Sequence, residues 1–154
     1  MKNYIRFGVM ILTSTIVMYF MMFLNTYEFA HVMFSETRVY MAITMGAGMA
    51  IIMLLFMWKM YENKRLNYII LLASVLIFSG SLWLVRSQAT IDDTSWMSAM
   101  IPHHSIAIMT SKRADLNDPR VKELSEDIIE AQEKEIKEMK ELIEDIKENG
   151  IQEE

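Results

Sequence analysis

Three uninterrupted apolar runs, followed by a tail in which apolar positions recur every three or four residues, make up the pattern of this chain. The first run, Phe7 to Leu24, holds 18 residues without a charge. At ~1.5 Å rise per residue it reaches about 27 Å, close to the thickness of a bilayer's hydrocarbon core. Lys2 and Arg6 precede it and no A-x-A site follows, so it reads as a retained helix rather than a cleaved leader. The second run covers 39–60 and the third 66–85, closed by Arg86. The short polar turn Tyr61–Arg65 between them requires an antiparallel helical hairpin.

After a polar linker, Ser87 to Asp92, the period changes. Trp96, Met97, Met100, Ile101, His104, Ala107 and Ile108 follow helical spacing, with Asp93 or Thr94 as cap. Pro102 falls inside this helix and predicts a kink near Ser98. Asp118 and Pro119 start a second helix that Gly150 ends. Val121, Leu124, Ile128, Ala131, Met139, Leu142 and Ile146 form its apolar positions, and Glu135 interrupts the seam beside Ile136. The expected fold is all-α: a membrane region, 1–86, with spans near 7–24, 39–60 and 66–85, and a soluble helical hairpin, 87–154. Two helices enclose little core, so two hairpins are expected to pair into a four-helix bundle, making a homodimer or higher homo-oligomer.

Charge sets direction. Lys2, Arg6, Lys59, Lys64 and Arg65 flank one side of the spans; Arg38 and Arg86 flank the other. The positive-inside rule then puts the N-terminus in the cytoplasm, and loop 25–38 and the tail outside it. The expectation is a multi-pass protein of the plasma or inner membrane, surrounded by membrane lipid. Residues 87–154 hold 17 acidic and eight basic residues, a net −9, against seven basic and three acidic (+4) before them. An acidic tail excludes nucleic acid as a partner.

The chain has no cysteine, 16 methionines and three histidines. Thiolate sites are impossible, and thioether and imidazole remain as soft and borderline metal ligands. The candidate site is Met97, Met100, His103, His104 and Met109 on the first tail helix, with Met139 on the second. Such a set suits copper, with Cu(I) favoured by sulfur. The competing reading is that the methionines are core and the histidines polar residues at a kink. More speculative ligands on the membrane side are His31 and Met33 in the outer loop, and Met41 and Met45. The latter two open a Met series at every fourth position beside Ala42, Gly46 and Ala50, a pattern that also suits close helix packing. His31 reads more simply as an exposed interfacial residue. No H-E-x-x-H occurs, the tail has no Glu-x-x-His pair for a di-iron site, and no strained turn presents Ser105 as a nucleophile. The chain is not expected to be an enzyme.

The stretch Asp93-Thr-Ser-Trp-Met97-Ser-Ala-Met100-Ile-Pro102-His103-His104-Ser-Ile-Ala107-Ile-Met109, with the turn Asp118-Pro119 and Ile129-Glu-Ala-Gln132-Glu-Lys-Glu135-Ile136-Lys-Glu-Met139, resembles the family called domain of unknown function 305. The resemblance covers roughly 93–145. It implies a ferritin-like helical bundle, and some members are periplasmic copper-binding proteins linked to copper resistance. His103, His104, Met97, Met100, Met109 and Met139 match that family's His and Met pattern. Longer members carry two hairpins in one chain; this one carries one, with three added transmembrane helices and Ser105 where glutamine is common. Two functions follow as expectations. One is a membrane-anchored protein that sequesters copper or hands it to a cuproprotein in copper homeostasis. The other is a structural or interaction bundle without metal.

Overall fold

The computed structural model describes residues 2–152. Among them the regular structure is helical, without strands: α1 (Lys2–Met21), α2 (Glu36–Phe56), α3 (Lys64–Ser87), α4 (Asp93–Arg113) and α5 (Pro119–Asn149). Two 3-10 turns, Phe29–His31 and Trp58–Met60, lie between helices. α1, α2 and α3, of 20, 21 and 24 residues, are long and apolar enough to cross a membrane. They begin two to five residues before the apolar runs, because charged residues such as Lys2, Glu36 and Lys64 occupy first turns that apolarity alone does not reveal.

The chain divides into two compact units. The first comprises residues 1–22 and 37–90. Phe7, Ala50, Leu54 and Tyr61 form its core, with Tyr4, Met53 and Met57 packed around them. The small residues Ala42, Gly46 and Ala50 are buried, as helices in close contact require. Gly46 faces Thr15 of α1 so closely that an added Cβ would overlap the threonine side chain. Gly46→Leu is therefore expected to separate α1 from α2. Cysteine crosslinking between the two helices checks this, and unchanged crosslinking would contradict the packing. Asn67 is fully buried yet satisfied: it accepts from Tyr4 Oη at 2.7 Å and donates to the Tyr61 carbonyl at 3.2 Å. Such pairing is what an apolar surrounding demands of a buried amide.

The second unit comprises 23–36 and 91–154. Residues 23–36 thus belong with the hairpin, and the second unit resumes at 91 rather than at 87. Asp92, rather than Asp93 or Thr94, caps α4, because its backbone is extended and its carboxylate accepts from the Ser95 amide at 2.6 Å. Asp118 caps α5, with Pro119 in the first turn, and Gly150 ends it at φ 81°. Pro102 falls inside α4, where Ile101 and Pro102 are both buried. Met97, Ile101 and Ile108 pack with Ile136, Met139 and Ile143 into one hydrophobic cluster.

The seam differs from the expected one in detail. Trp96, Leu124 and Leu142 each precede a buried residue by one position, which turns them about 100° out of the seam. Ser125 and Ile143 take those packing places instead.

Candidate metal centre

Pairing α4 with α5 brings one histidine against one carboxylate. His104 Nδ1 lies 2.9 Å from the Met100 carbonyl, one turn back on its own helix. Its Nε2 lies 2.7 Å from Glu135 Oε2 on α5. A carbonyl only accepts, so the ring proton sits on Nδ1 and Nε2 presents its lone pair to the carboxylate. Two acceptors at that separation repel unless a proton lies between them or a metal ion beside them binds both. Glu135 pairs with the histidine from an exposed edge: its side chain is 51% exposed, while that of His104 is 12% exposed.

The other members of the predicted set are placed differently. His103 is exposed, its ring centroid 6.2 Å from that of His104. Met97 and Met139 are buried within the hydrophobic cluster, and Met100 packs against it half-buried. Met109 is half-buried elsewhere on α4. Among the described residues no group of three or more His, Asp or Glu side chains gathers as a metal site. One copy thus brings together His104 and Glu135, with Met100 one turn behind His104. The nitrogen–carboxylate pair fits Cu(II), and a thioether nearby fits Cu(I).

His31 departs most from expectation. It is buried at 6% exposure rather than exposed, and its Nδ1 lies 2.9 Å from Ser105 Oγ on α4. Ser105 Oγ also accepts from the Tyr27 amide at 2.8 Å. Ser105 Oγ keeps one lone pair and its proton for Nδ1, and Nε2 faces Glu28 Oε2 at 3.6 Å. Met33 packs against the hairpin core. Lys112 lies 4.7 Å above the Tyr27 ring and 2.7 Å from Glu133, a carboxylate that raises its pKa. Residues 23–36 therefore form a strap across one flank of the hairpin. His31 and Met33 are strap residues, whereas Met41 and Met45 belong to the other unit, each about two-fifths exposed.

The signal missed in the sequence was the loop's composition. Met33 packs on the hairpin core and His31 is buried, whereas Phe29 between Tyr27 and His31 is 93% exposed, so apolarity along the loop marks its docked residues only in part. Ser105 is the residue the strap grips. Ser105, His31 and Glu28 do follow the order of a hydrolase triad. Ser105 is fully buried, however, so its hydroxyl offers no access to a substrate.

Burial, first, and the nearby Lys140 hold the His31 pKa below its ordinary 6.5, against a smaller opposing effect of Glu28. The strap's contribution is thus complete above pH 6.5 and is lost as pH falls from there through the lowered value. Hydrogen exchange at the Tyr27 amide should accelerate on that descent, and His31→Gln should flatten the response. Exchange independent of pH, after correction for intrinsic rates, would contradict the docking.

Comparison with known proteins agrees with this architecture. The domain of unknown function (DUF305) matches residues 84–149, the end of α3 and the whole hairpin. An uncharacterized protein, L153, of Acanthamoeba polyphaga mimivirus is 36% identical over 110 residues, 70% of each chain. The chain belongs to the DUF305 family. The stretch shared with the viral relative is longer than everything from residue 84 onward, so it extends into the apolar helices. No solved structure matches the chain.

Proposed function

We propose that this DUF305 protein is a membrane-anchored metal-binding protein whose hairpin holds copper, in sequestration or handover to a cuproprotein. α1 to α3 serve as the anchor. The positive-inside count supports a cytoplasmic N-terminus and a hairpin outside the cytoplasm. The observation that carries the reading is the His104–Glu135 contact at 2.7 Å, with Nδ1 already committed to the Met100 carbonyl. A backbone carbonyl that fixes the tautomer and leaves Nε2 to a cation is the recurrent support of metal-ligating histidines. His104 and Glu135 would hold the ion, Met100 would offer sulfur to Cu(I), and exposed His103 would offer a second imidazole. The ion would supply reversible binding, with no chemical step required of the protein.

A second reading, a structural bundle without metal, is favoured by one observation: Met97 and Met139 are buried among isoleucines, as packing residues are. The two readings separate in one experiment. The full-length protein, stripped with chelator and reloaded in detergent, should retain copper in preference to zinc, and His103→Ala/His104→Ala should retain neither. Equal retention by both proteins, or none by either, favours the structural reading.

A further inference from the structure

The strap seals one flank of the hairpin and leaves the opposite flank bare. On α4 the sealed flank holds Ser105; on α5 it holds Lys137 and Lys140, which line the hollow beside His31. The helical turn of about 100° per residue places Trp96 and His103 of α4 on the other flank. Leu124, Glu135 and Leu142 of α5 join them there, on one ridge at steps of 11 and seven residues. Trp96 is 50% exposed, Leu124 57% and Leu142 46%. The bare apolar flank is thus the flank from which the His104–Glu135 pair is reached.

We propose that a second copy of this chain packs on that flank about a two-fold axis, and that the metal centre is completed across the interface by His104 and Glu135 of each copy. This rests on the metal reading above. Two observations select a second copy. A single hairpin brings only His104 and Glu135 into contact, with His103 exposed outside the pair and no third His, Asp or Glu gathered with them among the described residues; a two-fold axis doubles that contacting pair to the four donors of a closed site. Between Trp96 and Ser111, α4 carries no charged side chain other than its two histidines, whereas the bare edge of α5 carries Glu135 and Glu138. Isologous packing of one copy's α5 over the other's α4 sets acid against imidazole. Tethering to a membrane also raises the effective concentration of one hairpin for another.

The test uses the full-length protein in detergent with Cu(I) or Cu(II) alone as probe, measuring mass by sedimentation and copper per chain. The variants are Leu124→Glu/Leu142→Glu, which leaves the buried seam and both donors in place, and His104→Ala. The expected result is a dimer with one copper per two chains. Leu124→Glu/Leu142→Glu should be monomeric, with helicity kept and copper affinity lowered at least ~10-fold, the scale on which loss of supporting groups weakens a site. His104→Ala should bind copper more weakly than either other protein. Copper bound one per chain by a monomer would overturn the shared centre, as would unchanged affinity or a persistent dimer in Leu124→Glu/Leu142→Glu. A wild-type protein that retains no copper also overturns it, by removing the reading beneath; the sedimentation result then tells that failure apart from failure of the interface.

Discussion

In full-length protein, Glu135→Gln should weaken copper binding about 10–100-fold, and His104→Ala should weaken it further. Glu135 Oε2 faces the one nitrogen of His104 that the Met100 carbonyl leaves available. Glutamine keeps the size of that side chain and removes its charge. The proposed cation would then be held by imidazole without the carboxylate that balances it. His104→Ala removes the nitrogen itself, whereas His103→Ala should have the smaller effect of the two histidines, because His103 is exposed and outside the pair. Competition titration with a Cu(II) chelator measures all three. A His103→Ala defect larger than that of His104→Ala would move the centre away from Glu135.

The second large effect concerns stability. Ile101→Ala should destabilise the hairpin by about 2–5 kcal/mol, the usual cost of truncating a buried aliphatic side chain and leaving a cavity. Ile101 is fully buried, at the centre of the cluster it shares with Met97, Ile108, Ile136, Met139 and Ile143. The strap's Met33 packs on the same cluster, so the loss should loosen α4, α5 and the strap together. Hydrogen exchange resolved by segment reads this as faster exchange in 23–36 and 93–149, with α1 to α3 unaffected. A change under about 1 kcal/mol would place Ile101 at a site that collapses without cost.

The spans and the hairpin were legible because their signals are local. An 18-residue apolar run and a three-four repeat need no partner to be read. So were the caps at Asp118 and Gly150, whose chemistry acts within a few residues. The small residues Ala42, Gly46 and Ala50 announced a close approach, though not that Thr15 supplies the other side. The strap was not legible. His31 and Ser105 lie 74 positions apart, and a single hydrogen bond leaves no periodic trace. The seam of α5 was read one residue off at Leu124 and Leu142, because a second apolar ridge runs beside the buried one. That second ridge has no covering element in one copy, which is why the repeat alone did not say which of the two faces inward. In the site, His104 and Glu135 were both singled out, but their pairing needed the register of α4 against α5.

The strap also changes how the hairpin should be handled. Residues 87–154 alone lack Tyr27, His31 and Met33, which leaves Ser105 and part of the core uncovered. Measurements of metal binding therefore belong on the full-length chain.

The most direct test of the central claim is X-ray absorption at the copper edge on the loaded full-length protein, beside His104→Ala. The account predicts imidazole scattering in the wild-type spectrum that is lost or halved in the variant. A shell of sulfur alone, unchanged by His104→Ala, would contradict it.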